Sequence, residues 1–298
     1  MAARETWILG YLEHLSSRDL DILAKASGLP GGVQRLRAEP GLIGELLGDQ
    51  GVFEAVYGDS PGEQNWLLAG SPFLVFAVAV ARAARDLDRL PYLQEWAGPR
   101  QRIPVFVAEE LREFAAEPLR RLFLAELLAS YTHVDSGSVW VRSDSRLRRR
   151  RFSELDLMRL VSMLEALPEE LHSGVYRRLG DLALFLTGVF PDYTAVRMFR
   201  PVDVQRLGRA VLPANGPSPA AERLQEVLEV RGAIGLLELL GQRWYQLAAA
   251  TSTEPARAMM AAVTTIAERF EQARRILNYV TDRYVFPLRE QWFPAAPA

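Results

Sequence analysis

The sequence predicts a mainly α protein, bundle-like and built of many helices, with one arginine-rich β-hairpin inserted near the middle. Three observations lead there. Apolar residues recur at helical spacing through most of the 298 residues, the signature of amphipathic helices. One stretch, Ser138 to Phe152, joins two β-suited runs through a turn-forming sequence. Near the end, Met259, Val263, Ile266, Phe270, Ala273, Leu277, Val280 and Tyr284 follow one another at spacings of 4-3-4-3-4-3-4, a heptad seam on one long helix.

Taken in order, residues 4 to 58 read as short helices. Trp7, Ile8, Tyr11, Leu12 and Leu15 share a face, Ser17 caps a helix through Lys25, Pro40 opens one through Leu47, and Asp49 caps a last one holding Val52, Phe53 and Val56. Ser71-Pro72 is a helix start, serine as cap and proline in the first turn, and the helix runs to about Leu90. Its first half is apolar on every side, so it belongs in the middle of a core. Pro91 to Pro104 reads as a loop by its proline and glycine content, followed by a short extended piece at Val105 and then helices over Glu109 to Ala116 and Pro118 to Tyr131.

The hairpin follows, with strands over Ser138 to Arg142 and Leu147 to Phe152 and a four-residue loop, Ser143-Asp-Ser-Arg, between them. Ser153, with Asp156 three residues on, is placed to cap the next helix. Val175 to Phe190 is a strongly apolar helix in which Gly180 and Gly188 mark close helix approach or a break. Helices over Val202 to Val211, Ala220 to Val230 and Ala233 to Ala249 precede the seam, where Glu271 and Arg275 are spaced for an ion pair. The expected organisation is an N-terminal helical subdomain over 1–60, a central region over 61–212 that holds the hairpin at 138–152, and C-terminal helices over 213–298.

Composition bounds the function. The apolar fraction of 49% builds real cores, and a net charge of −2 gives the whole molecule no field that draws it to nucleic acid or an anionic membrane. Any such contact has to come from a local patch. One lysine, Lys25, stands against 34 arginines, a bias that GC-rich coding produces, so arginine counts alone argue little. There is no cysteine, which removes disulfides and thiolate metal sites. With no secretory signal and no apolar run of spanning length, the expectation is a cytoplasmic protein that crosses no membrane.

Catalytic signals are thin. His14, His133 and His172 are far apart, Glu169-x-x-His172 lacks the second copy a di-metal site needs, and there is no HExxH, GxSxG, Walker or GxGxxG motif. No catalytic residue, metal or cofactor is assigned. His133 and Asp135 with Ser136 and Ser138 contain the residue types of a triad without any sign of convergence. Asp181 is a candidate buried carboxylate, with Arg177 and Arg178 as expected partners. Arg243, Trp244, Tyr245 and Tyr279 are candidate lining of a pocket among the C-terminal helices.

The sharper signal is the hairpin. Arg142, Arg146, Arg148, Arg149, Arg150 and Arg151 face the single Asp144, a net +5 within ten residues. Alternation along a strand puts Arg148 and Arg150 on one face and Arg149 and Arg151 on the other. A ribbon cationic on both faces has to be solvated, neutralised by the chain's own acids, or used to hold an anion, because a buried unpaired guanidinium is very costly. An extended piece, two helices and a hairpin resemble the order of winged-helix DNA-binding domains, with the hairpin as wing; the helix that would enter the groove, Pro118 to Tyr131, is mainly Leu and Phe, unlike a groove helix. The leading expectation is a non-enzymatic binding or regulatory protein whose hairpin arginines contact an acidic protein or nucleic acid. The alternatives are an enzyme or small-molecule binder using the C-terminal pocket, and an assembly protein that forms a homo-oligomer through the seam.

Overall fold

The computed structural model describes residues 10–58, 70–98, 101–132, 136–143, 146–153, 155–196, 199, 201–211, 219–252 and 260–288; at 136–143, 146–153, 201, 208–211, 219–221 and 288 it describes the backbone alone. The protein is mainly α, as expected from the sequence. By its internal packing the chain gathers into two compact units, one of Met1–Glu95, Pro104–Thr132 and Arg275–Ala298, the other of Trp96–Ile103 and His133–Arg274.

The first unit includes, among its described residues, the short helices α1 Ser17–Ala26, α2 Gly32–Ala38, α3 Gly41–Leu46 and α4 Gln50–Tyr57 ahead of the core helix α5, Pro72–Leu87. Ser71 accepts a hydrogen bond from the Leu74 amide and Pro72 sits in the first turn, the start the sequence predicts. From Phe73 to Ala81 every residue of α5 is buried, because no side of it is polar enough to face water. Two further helices, α6 Ala108–Ala115 and α7 Pro118–Ser130, pack against it. Leu119, Leu122, Phe123, Leu124, Leu127 and Leu128 of α7 are all buried. Its leucines and phenylalanine thus serve the core, the departure from a groove helix that the sequence already showed.

One buried carboxylate ties two helix starts together. Asp19 is wholly buried. Its Oδ2 accepts from the Ser16 amide at 2.7 Å and the Ser16 hydroxyl at 2.8 Å, and its Oδ1 accepts from the Ser71 amide at 2.7 Å. The cap of α1 is therefore Ser16, one residue ahead of Ser17, in a reciprocal capping box with Asp19.

Pro91 to Pro104 is not a plain loop. Strands β1, Leu93–Gly98, and β2, Gln101–Val105, pair with one another there. Pro104 lies within β2, and a two-stranded sheet tolerates it because each strand has one side with no ladder bond to lose.

In the second unit the arginine-rich hairpin is formed by β3, Ser136–Ser143, and β4, Arg146–Ser153, paired antiparallel. The strands are longer than expected, and the closing pair Ser143↔Arg146 leaves only Asp144 and Ser145 between them. Since β4 continues through Ser153, the cap of the next helix, α8 Leu157–Leu164, is Asp156, which accepts from the Arg159 amide. A short 3-10 turn, Glu169–Leu171, leads into α9, His172–Val189, followed by α10 Pro191–Val196 and α11 Pro201–Val211. Next is α12, Pro219–Thr251, bent at Gly232, whose φ of 68° and ψ of −171° end one helical run and start another, so the two helices expected here meet at that glycine.

Helix α9 packs along α12, and two glycines set how closely. A Cβ on Gly180 would lie 2.5 Å from the Tyr245 ring. One on Gly241 would lie 2.5 Å from Phe270 and 2.9 Å from the Ala183 Cβ. Gly180 thus serves close approach, one of the two roles expected of it. Deeper in this unit Arg274, almost fully buried, donates from Nε to Glu238 Oε1 at 2.5 Å, and Arg231 reaches the other oxygen at 3.0 Å.

The seam does not form one long helix. It divides at Arg269 into α13, Ala261–Glu268, and α14, Phe270–Val280, followed by a π turn, Thr281–Val285, and a 3-10 turn, Phe286–Leu288. Val263, Ile266, Phe270, Ala273, Leu277, Val280 and Tyr284 are all buried in the chain's own core, while Met259 lies outside the described residues.

Gly180→Ala tests the close approach. The gain of about 1 kcal/mol in helix propensity is expected to be outweighed by about 1–3 kcal/mol of overpacking against Tyr245. The urea midpoint should therefore fall; a midpoint at or above that of the parent chain shows that Tyr245 moves away freely.

Candidate functional site

Two places are candidate sites, the β3–β4 ribbon and a cavity in the first unit. The ribbon's register pairs Ser138↔Arg151, Val139↔Arg150, Trp140↔Arg149, Val141↔Arg148, Arg142↔Leu147 and Ser143↔Arg146. Directly opposed residues of an antiparallel pair share a face. Positions 138, 140, 142, 147, 149 and 151 therefore occupy one face, and 139, 141, 143, 146, 148 and 150 the other. No arginine of β4 stands opposite an acid, so the ribbon's charge is not neutralised across its own strands. Pairing of these arginine side chains elsewhere in the chain lies outside the described residues, as do His133 and Asp135 of the triad-like set.

The expected C-terminal pocket residues have separate places. Trp244 and Tyr245 are fully buried in the helix packing of the second unit. Tyr245 donates its hydroxyl to Asp181 Oδ1 at 2.8 Å, and Arg177 stands 3.8 Å from the other oxygen of that buried carboxylate. The pairing of Asp181 with Arg177 follows the sequence reading; Tyr245 was not anticipated as its partner. Arg243 Nη1 donates to Gln246 at 3.4 Å. Tyr279 belongs to the first unit, and there it does line a cavity.

That cavity, of about 760 Å³, is lined by Phe53, Tyr92, Tyr279 and Tyr284 together with Arg89 and Arg283. Its organising group is Asp86, near the end of α5. Both Tyr284 and Tyr279 donate their hydroxyls to Asp86 Oδ2, the latter at 3.4 Å, and Arg82 Nε lies 3.1 Å from Oδ1. Arg82 also lies over the Phe53 ring at 4.9 Å and donates to Gln50. Phe53 stacks on Tyr57 at 5.1 Å and meets Tyr284 edge-on at 5.5 Å. The Tyr57 hydroxyl donates to the Val75 carbonyl at 2.8 Å.

The electrostatics of the cluster hold protons in place. Burial, then the Asp86 charge, pushes Tyr279 up from 10.0 to about 12. Burial, then the hydrogen bond to Asp86, raises Tyr284 well above the usual phenol range, and burial followed by Tyr284 raises Tyr57. At neutral pH these phenols are donors, and Asp86 is occupied by two hydroxyls and a guanidinium. The phenols therefore present hydrogen-bond donors around one carboxylate.

Sequence reasoning named Tyr279 and missed the rest because the partners are remote. Asp86 lies 193 residues from Tyr279 and 198 from Tyr284. Tyr279 and Tyr284 are five apart, a spacing that α-helical periodicity does not align, and the π turn over Thr281–Val285 widens the helix where they converge. The one legible trace was the i,i+4 spacing of Arg82 and Asp86. Of the other singled-out residues, His14 packs on Tyr11 and Phe73, and His172 meets the Leu167 carbonyl at 3.0 Å and the Tyr176 ring. Arg275 reaches across to Glu95, with Nε 3.1 Å from both carboxylate oxygens. Among the described residues no group of three or more His, Asp or Glu side chains is placed to hold a metal ion, and no helix is long and apolar enough to cross a membrane. No family model, no curated protein and no solved structure matches this chain.

Asp86→Asn is expected to lower the titration of Tyr279 from about 12 toward 10.0, read as alkaline phenolate absorbance with Tyr279→Phe subtracted. The raised folded value also sets a pH window. Unfolded chain releases this proton near 10.0 and folded chain near 12, so the stability it contributes is complete below about pH 10 and lost as pH rises toward 12. In Asp86→Asn that loss should end at a lower pH; an unchanged profile leaves burial as the sole cause.

Proposed function

We propose that this is a non-enzymatic helical binding or regulatory protein whose β3–β4 ribbon, through Arg142, Arg146 and Arg148 to Arg151, contacts an anionic partner. The observation that carries the reading is the register: Arg148, Arg149, Arg150 and Arg151 stand opposite Val141, Trp140, Val139 and Ser138, and none of these is charged. Six arginines with one aspartate in the turn leave the ribbon strongly cationic in a chain of net −2. An acidic protein surface or a nucleic acid supplies the complementary charge, and arginine's planar fork suits carboxylate and phosphate alike. Cationic positions on both faces favour a partner that surrounds the ribbon. A duplex major groove admits a two-stranded ribbon between two rows of phosphates.

A second reading rests on the tyrosine-lined cavity. Its size falls in the range of small-molecule sites, about 300–1,000 Å³, and Tyr279, Tyr284, Arg89 and Arg283 give it aromatic walls with cationic groups. The protonated phenols and the saturated Asp86 favour binding over acid–base catalysis. The homo-oligomer reading is weakened by the burial of the seam within its own chain.

Fluorescence anisotropy at low salt with labelled duplex DNA, single-stranded RNA and polyglutamate tests the first reading. The parent chain is expected to bind at least one with affinity that falls steeply with salt. Changing Arg148 to Arg151 to serine should remove that binding with circular dichroism unchanged; for DNA, each lost phosphate contact lowers the log–log salt slope by about 0.9. Failure of the parent chain to bind any of the three overturns the proposal.

A further inference from the structure

The first unit holds a second cavity, of about 790 Å³, that shares no lining residue with the tyrosine-lined one. Its walls come from α3, from α5 and from the junction of α6 with α7. Small residues predominate where these helices face it, among them Gly44, Ala81, Ala84 and Ala115. Gly44 is the informative one. It lies inside α3, its φ is not in the left-handed region, and a Cβ built on it meets nothing within 4 Å. Neither backbone conformation nor helix packing calls for glycine here, and glycine weakens a helix relative to alanine. What it does is keep the cavity wide.

Charged groups line this space as well, Arg112 among them, which pairs with Glu109. Three arginines outside this lining are buried or half-buried against a carboxylate: Arg274 by Glu238, Arg275 by Glu95, Arg177 by Asp181. Arg121 departs from that pattern. It is half-buried in the cavity wall, and its Nη1 donates to the Ala115 and Ala116 carbonyls at 2.5 and 3.3 Å, with no carboxylate partner among the described residues. Burial pushes its guanidinium below the usual arginine range, the mark of a cation whose lost hydration is not fully replaced. Arg85, also in the lining, makes no ion pair among the described residues, and its guanidinium occupies the space beside Gly48, where a Cβ would stand 3.2 Å from Nε. Glu45 and Asp88 line the cavity too, but both are exposed, where water screens them.

We propose that this cavity binds a small amphipathic carboxylic acid, its apolar chain against the wall formed by Gly44 and the alanines and its carboxylate on Arg121 and Arg85. The two parts of the lining call for the two parts of such a ligand. An apolar wall of this extent favours hydrocarbon over water. An arginine held only by neutral carbonyls gains a charge-assisted bond when a carboxylate arrives.

Isothermal titration of the full chain with decanoate, and with decanol as the uncharged analogue, tests this. Decanoate is expected to bind at one site and decanol at least about tenfold more weakly, as loss of a charge-assisted hydrogen bond implies. Gly44→Phe should abolish decanoate binding by filling the cavity, while Gly44→Ala keeps binding and raises the thermal midpoint. Arg121→Met should weaken decanoate at least about tenfold. Because that change falls in a wall, Arg85→Met, at an exposed position, supplies a second charge variant with little effect on folding, and it too should weaken binding. Absence of decanoate binding, equal binding of decanol, or full decanoate binding by folded Gly44→Phe each overturns the proposal.

Discussion

A helix that is apolar on every side has to be enclosed, and α5 imposes that constraint on the first unit. Its start is fixed twice, by its own Ser71–Pro72 cap and by the buried Asp19, which also holds the start of α1. Its middle, Phe73 to Ala81, is wholly inside. Polarity returns only in the last turns, and it returns on two faces. Arg82, Asp86 and Arg89 follow the i, i+4, i+7 line into the tyrosine-lined cavity, while Ala81, Ala84, Arg85 and Asp88 follow the neighbouring line into the other. A single helix thus contributes charged groups to both spaces.

The second unit meets its constraint differently. Gly180 and Gly241 remove the atoms that would hold α9, α12 and Phe270 apart, and two carboxylates trapped by such close packing are supplied with partners. Asp181 takes the Tyr245 hydroxyl, and Glu238 takes two guanidinium groups. Breaking such a pair costs more than the pair itself contributes, because the survivor is left charged and dry. Helix approach and ion pairing here are parts of one arrangement.

What the sequence made legible was local. Caps at Asp49 and Ser71, the enclosure of α5, the break between the halves of α12 and the existence of the arginine hairpin all depend on residues within a few positions of one another. The misreadings come where a longer context decides. Proline and glycine made β1 and β2 look like a loop, although a two-stranded sheet has room for a residue without an amide hydrogen. The unbroken apolar spacing concealed the end of α13 at Arg269, since periodicity survives a one-residue break. The cluster on Asp86 was out of reach because its members come from both ends of the chain and from a π turn that no residue pattern announces.

The arginine ribbon has another side to it. Among the described residues β3 and β4 pair only with one another, which leaves each strand one edge without a ladder partner there, and a second ribbon laid alongside would satisfy such edges. Val139, Trp140 and Val141 in β3 are the residue types that promote such growth. Like charge along β4 makes that approach repulsive. On the function proposed above, the arginines that would suit the ribbon to an anion would also oppose pairing along its edges, and a polyanion that neutralised them would weaken that opposition.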